Sequence, residues 1–270
     1  CRKKGGQRHI FNLFKQKEEP VRYDGRPQNG LKRAVAFVDY ESWYISLLKN
    51  FGLKPDIKAW FEDLSTRVYL TEAVFFADFS HKSLADEIRR IRPYSNKIID
   101  TRSPNGVEKD YTDFIILDNI YQKALASQDI EAFILFSGDG HFSSATSFLK
   151  NFYSKEVGIY GIQGSFSRQL QDTASWCVTL PTEEALYGLQ YRQIFTALKR
   201  SKQIATRKSV IEAVCKAGKN VRKSDVDASV KRLIADGYIT ERRLAPKGGQ
   251  PTDCLFVDWD KVALSPYGEE

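Results

Sequence analysis

The chain has 270 residues, 42% of them hydrophobic and 13% aromatic, with a formal net charge of +7. That length holds one large domain or two ordinary ones, and 17 Phe allow a real core, so disorder is not the expectation. No apolar stretch approaches the roughly 20 residues needed to span a bilayer, which excludes a membrane-spanning helix.

The charge is unevenly spread. Residues 1–33 carry ten basic and three acidic side chains, residues 34–189 fifteen and twenty-one, and residues 190–270 sixteen and ten. An acidic centre between basic flanks fits a core that holds cations and arms that hold a polyanion. Lysines that merely solubilise exposed helices would give the same totals. Cys1, Cys177, Cys215 and Cys254 lie far apart, and His9, His81 and His141 are the only imidazoles. A structural zinc site is therefore not expected, and free thiols in a cytoplasmic protein are the simpler reading. The start, Cys1-Arg2-Lys3-Lys4, lacks the apolar core of a signal peptide.

In chain order, residues 1–30 mix Lys, Arg, Gly, Pro and Gln and read as a basic, flexible arm ending at Pro27-Gln28-Asn29-Gly30. From 31 to 182 strands and helices alternate. A strand over 33–38 leads to a helix over Glu41–Asn50, stopped by Gly52, and a second helix follows Pro55. A strand over Ala73–Ala77 leads to a helix over about 83–92 that Pro93 ends. Strand Lys97–Ile99 meets the Ser103-Pro104-Asn105-Gly106 loop, and a helix runs from about Asp110 to Ala126. Strand 132–136, helix Phe142–Asn151, strand Val157–Tyr160, a short helix near Ser167–Asp172 and strand Trp176–Thr179 complete the series. The alternation predicts an α/β class, a three-layer domain with a parallel sheet and right-handed crossovers.

Pro181 starts a different pattern. Helices near 190–200 and 207–217 precede Ser224-Asp225-Val226-Asp227, read as a capping box that opens a third helix. That helix is expected to bury Val226, Val230, Leu233 and Ile234, with Gly237 as its C-terminal cap. Tyr238–Arg243 and Cys254–Val257 then read as two strands around the Gly248-Gly249 loop. Three helices and a hairpin over about 189–262 resemble a winged-helix domain.

Three acids carry the chemistry. Asp39 ends the apolar run Ala34–Val38, Asp139 sits in Ser137-Gly138-Asp139-Gly140 after the run Phe133–Phe136, and Asp113 opens a helical stretch. Each has a plain structural reading, as a helix cap, a turn residue or a partner for a helix N-terminus. Together they stand at junctions that open on one crevice beyond the carboxyl ends of the strands. Three carboxylates there make a hard oxygen site suited to Mg²⁺ or Mn²⁺. Asp110 is read as an N-cap and a secondary candidate, Asp78 as a group that orients a ligand or a bound water, and Lys109 as electrostatic support or a solvated lysine. His141 is a substrate contact, a proton-transfer group or an ordinary helix-start histidine. Gly161-Ile162-Gln163-Gly164-Ser165 could cradle a phosphate, although a plain glycine turn is the better reading.

Over about 33–180 the chain resembles the NYN group of PIN-like ribonucleases. The resemblance rests on Phe37-Val38-Asp39-Tyr40-Glu41, Ala77-Asp78-Phe79, Lys109-Asp110-Tyr111-Thr112-Asp113, Ser137-Gly138-Asp139-Gly140-His141-Phe142 and Ser167-x-x-Leu170, in that order and spacing. It implies a single-strand-directed RNA nuclease with Asp39, Asp113 and Asp139 as catalytic metal ligands. Ser42 stands where many relatives have Asn, and His141 where many have another acid. The implied mechanism is metal-assisted phosphodiester hydrolysis.

In the winged helix, Lys231, Arg232, Arg242, Arg243 and Lys247 are the expected nucleic-acid face, making phosphate contacts with little sequence reading. A related LOTUS-type module binds RNA or protein, so a protein partner stays open there. The competing class is a catalytically degenerate, nucleic-acid-binding regulatory protein. A metal phosphatase acting on small molecules fits the basic flanks less well.

Overall fold

The computed structural model describes residues 30–102, 111–201, 205–218, 221–245, 251–265 and 267. The basic arm up to Asn29, the loop from Ser103, Lys109, Asp110 and Lys247 lie outside the described residues.

Among those residues, β1 (Arg33–Asp39), β2 (Tyr69–Ala77), β3 (Lys97–Asp100), β4 (Ala132–Phe136), β5 (Glu156–Ile162) and β6 (Trp176–Leu180) form one sheet. Its order is β3-β2-β1-β4-β5-β6 and every neighbouring pair is parallel. Every residue of Ala34–Phe37 and of Ala132–Phe136 is buried, as parallel strands covered on both faces require. Successive side chains point to opposite faces. Ala34, Ala36 and Val38 face one layer with α1 (Tyr40–Phe51), α2 (Ile57–Arg67) and α3 (Glu87–Ile91). Val35 and Phe37 face the other, with α4 (Thr112–Ala126), α5 (Ser143–Tyr153) and α6 (Arg168–Thr173). The expected three-layer α/β fold is present.

The chain builds outward from β1 to β3 and then returns to lay β4 on the other side of β1. The order therefore reverses between β1 and β4. The crevice beyond their carboxyl ends is the topological switch point where open α/β sheets take ligands.

Some element bounds differ from those expected. β2 begins at Tyr69, not Ala73, because its first residues are held by polar groups that interrupt the apolar run. The Thr71 hydroxyl donates to the Ala34 carbonyl at 2.8 Å, and Glu72 pairs with Lys97 at 2.7 Å and Lys123 at 2.8 Å. The helix expected over 83–92 shrinks to Glu87–Ile91 behind a series of turns.

After a cis Leu180–Pro181 bond, α7 (Glu183–Arg200) starts earlier than expected, capped by Thr182. It forms a third buried cluster with α8 (Arg207–Ala217), α9 (Lys223–Ala235), the antiparallel pair β7 (Ile239–Leu244) and β8 (Thr252–Val257), and α10 (Trp259–Ala263). Thr206 bridges Cys254 as a short third partner of the hairpin. The expected capping box at Ser224 is absent: α9 starts at Lys223, and the Ser224 hydroxyl donates to Asp225. Asp227 is drawn instead to Arg207 and Lys231, at 2.9 and 2.8 Å. The box sits on α8, where Thr206 and Ser209 each accept the other's backbone N–H. Val226, Val230 and Leu233 are buried as expected, and Ile234 only partly. Cys177, Cys215 and Cys254 are free thiols. Among the described residues no helix is long and apolar enough to cross a membrane.

Candidate metal centre

Asp39 ends β1 and caps α1, its Oδ1 accepting the Ser42 N–H at 3.0 Å. Its Oδ2 accepts the Ser137 hydroxyl at 3.3 Å, and the same hydroxyl oxygen accepts the Asp139 N–H at 3.2 Å. One serine at the end of β4 thus fixes an acid on each side of the switch point. Asp139 caps the 3₁₀ turn Gly140–Phe142, accepting the His141 N–H at 2.9 Å. Gly138 is obligatory between them, since a Cβ there would stand 1.8 Å from the Ser165 carbonyl oxygen. The Ser167 N–H donates to the Gly138 carbonyl at 2.9 Å, closing the turn against the loop after β5.

Asp113 arrives from the first turn of α4. Its neighbour Thr112 shares a buried hydroxyl contact of 2.7 Å with Thr101, which follows β3, so the helix start is pinned to the sheet edge. The result is a cluster in which one ligand atom each from Asp113, Asp139 and His141 lie within 4.8 Å of one another. His141 Nδ1 stands 3.3 Å from Asp139 Oδ1 and 3.8 Å from Asp113 Oδ2. The imidazole is 81% exposed, so it faces the open crevice. Asp39 lies beside this cluster, linked to it through Ser137 and not counted within it. Two carboxylates and an imidazole are a donor set that a divalent cation fits.

Asp78 follows β2, but its carboxylate serves its own turn, accepting the Ser80 N–H at 2.9 Å and the Ser80 hydroxyl. Those bonds hold its pKa below the ordinary carboxylate value. Glu41 was not foreseen at this edge. Its Oε2 accepts the Asp78 N–H at 3.0 Å, bridging the ends of β1 and β2. The signal was its position two residues after Asp39, on the partly buried first turn of α1. In the 161–165 turn the Gln163 N–H donates to the Leu180 carbonyl and the Ser165 N–H to the Ile162 carbonyl. Those amides are spent within the protein, as a plain turn requires.

The described C-terminal cations meet different partners. Lys231 pairs with Asp227, and the Arg232 guanidinium lies 3.9 Å from the centroid of the Tyr187 ring. Arg242 stands over Phe256 at 5.5 Å. Arg243 is the next residue of β7, and adjacent strand residues point to opposite faces. Arg242 and Arg243 therefore cannot share one face of the hairpin.

A parallel sheet between helical layers, with acids gathered at its switch point, defines an α/β domain of the PIN-like nuclease type. Residues 33–181 match the family model described as the NYN domain, and the chain belongs to that family. Families of this domain are generally nucleases. A solved protein of unknown function from Vibrio parahaemolyticus is similar in fold, with a TM-score of 0.50 at 19% identity over 58% of this chain and 97% of its own. No curated protein matches the chain in sequence.

Proposed function

We propose that the chain is a divalent-cation-dependent ribonuclease that hydrolyses phosphodiester bonds in single-stranded RNA. The observation that carries this reading is the meeting of Asp113, Asp139 and His141 at the switch-point crevice of an NYN domain. Asp113 and Asp139 would hold the cation, with His141 completing the set and Asp39 supporting it through Ser137. Two carboxylates suit Mg²⁺ or Mn²⁺, and the imidazole favours Mn²⁺ of the two. Such a cation supplies a more acidic bound water and neutralises charge gathering on the phosphate. The chain itself fixes the acids: Ser137 orients Asp39 and the Asp139 backbone, and the Thr101–Thr112 contact sets Asp113. If His141 stays outside the cation's donor set, its exposed imidazole could instead meet a phosphate oxygen or move a proton on the leaving side.

In the same reading, residues 31–182 form the nuclease domain, the segment over 189–262 is a winged helix, and the basic arm over 1–30 joins it in holding RNA. Lys231, Arg232, Arg242, Arg243 and Lys247 are its candidate contacts, with a protein partner as the other use of that surface. The placement is cytoplasmic.

The test is cleavage of a labelled single-stranded RNA by the full chain with Mn²⁺, Mg²⁺ or EDTA. Cleavage with either ion and none in EDTA supports the proposal. Binding without cleavage under every ion favours the regulatory reading. Asp39 is the observation on that side, because it is buried at 5% exposure and lies outside the cluster of Asp113, Asp139 and His141.

A further inference from the structure

Beside the acidic cluster, on the flank of α4, lies a groove of about 440 Å³ that the chemistry above does not use. It is lined by Thr101, Arg102, Tyr111, Phe114, Ile115 and Asp118. Tyr111, Phe114, Ile115 and Asp118 follow the i, i+3, i+4, i+7 spacing of one helix face. Phe114 is 69% and Tyr111 40% exposed, large aromatic area to leave in water. Phe114 follows Asp113 directly, so the aromatic face and the cluster acid leave the first turn of α4 on different sides.

We infer that this groove is a nucleobase-stacking subsite, in which Phe114 and Tyr111 receive a base of the strand whose phosphate is held at Asp113, Asp139 and His141. The inference rests on the ribonuclease reading and names the feature of the strand that the site grips. Three observations favour a base over other occupants. Two aromatic side chains offer π-faces, which stack on any base and need no hydrogen-bond match. The Arg102 guanidinium in the lining, two residues past β3 and 3.6 Å from Asp100, is planar and cationic, able to stack on the base or meet its phosphate. Asp118 closes the far end, held by the Gln122 side-chain amide at 2.7 Å. A carboxylate there repels a second phosphate yet accepts a hydrogen bond from a base N–H, the N3–H of uracil included. The groove thus discriminates between the two halves of a nucleotide. A base stacked there can be supplied only by an unpaired strand, because paired bases keep their faces covered.

The experiment uses the full chain in EDTA, where binding is read without cleavage. The probes are a labelled oligouridine strand and the same strand with abasic positions, followed by fluorescence anisotropy. Phe114→Ala is expected to weaken oligouridine binding by roughly 5- to 100-fold, and Phe114→Trp to retain it. The abasic strand should bind the parent more weakly by a similar factor, and Phe114→Ala should add nothing further to that loss. Arg102→Ala should lower the slope of log affinity against log salt by about one unit if it meets phosphate. With Mn²⁺ restored, the Phe114→Ala loss should appear in KM. Phe114 is mostly in solvent, so its removal leaves the core intact. Should Phe114→Ala bind as the parent does while the parent still cleaves, the stacking subsite falls and the nuclease reading stands. Should the parent neither bind nor cleave RNA, both fall together.

Discussion

The two parts of the molecule treat charge in opposite ways. In the α/β part Glu87 is 1% exposed, yet it accepts the Tyr40 hydroxyl at 2.7 Å and pairs with Arg90 at 2.6 Å and Lys54 at 3.3 Å. Around it the core is aromatic, with Trp43 stacked on Phe136 at 3.9 Å and Trp60 edge-on to Phe75, Phe136 and Tyr160. In the C-terminal part the comparable acid, Asp227, has a side chain 31% exposed, and the core beneath mixes Val210, Val214, Val226 and Val230 with Tyr191 and Phe195. Tyr40 follows Asp39 directly, so the buried network also anchors the residue beside the cluster. A buried, fully bonded charge fixes geometry at high stakes, whereas a surface pair adjusts with little cost. The first suits a site that must hold like charges close together. The second suits a surface that meets a partner.

The sharpest way to break this contrast is to neutralise the cluster. Asp113→Asn or Asp139→Asn should lower RNA cleavage by about a thousandfold, the scale of several kcal/mol of transition-state charge stabilisation. Circular dichroism should be unchanged, because Asp113 is only partly buried and Asp139 is partly exposed. Retained cleavage in Asp139→Asn would remove that residue from the mechanism.

Stability should follow the same contrast at smaller scale. Glu87→Ala removes the buried acceptor of the Tyr40 hydroxyl, while Arg90 and Lys54, with side chains 41% and 58% exposed, turn to water; it should cost about 1–3 kcal/mol in chemical denaturation. Tyr40→Phe, which removes one donor, should cost about 1 kcal/mol. Asp227→Ala, at the surface, should cost less than about 1 kcal/mol. Burial alone would push the Glu87 pKa up, but the Tyr40 hydroxyl and the Arg90 guanidinium outweigh it and hold the carboxyl below its ordinary 4.5. A lowered folded-state pKa means stability fully present above about 4.5 and lost as pH falls through the lower folded value. That acid loss should vanish in Glu87→Gln. Equal acid profiles for parent and variant would show that Glu87 does not carry it. A fragment over 31–182 should keep this transition and fold alone, since its two core clusters draw on no residue beyond Leu180. Aggregation of the fragment, rescued by residues 183–270, would make the two parts one folding unit.

Much of the α/β part was legible because its signals are local. Apolar runs such as Ala132–Phe136 give a strand over the same residues, and Gly52 stops α1 where expected. The start of β2 was hidden because Thr71 and Glu72 are satisfied by partners 37 and 25 to 51 residues away. The Ser224 motif misled for the same reason, its acid being claimed by Arg207 on another helix. At the site, strand ends and turn glycines marked Asp39 and Asp139. The tie through Ser137 and the approach of His141 depend on β1 and β4 lying side by side, which no local pattern states.

The smallest expected effect tests the surface half of the contrast. Arg242 and Arg243 are consecutive on β7 and point to opposite faces of the hairpin. Arg242 is paired with Phe256 on its face, while Arg243 stands across the ladder from Asp253. A phosphate backbone lying on one face can be met by only one of them. If the winged helix holds RNA, Arg242→Ala and Arg243→Ala should therefore differ. One should reduce the slope of log affinity against log salt by about one unit, and the other should leave it unchanged. Turnover of RNA already bound should be the same in both, because neither belongs to the acidic cluster. Equal losses would mean that the hairpin inserts edge-on with both faces in contact. Two silent variants would remove this hairpin from RNA binding and leave a protein partner as its better assignment.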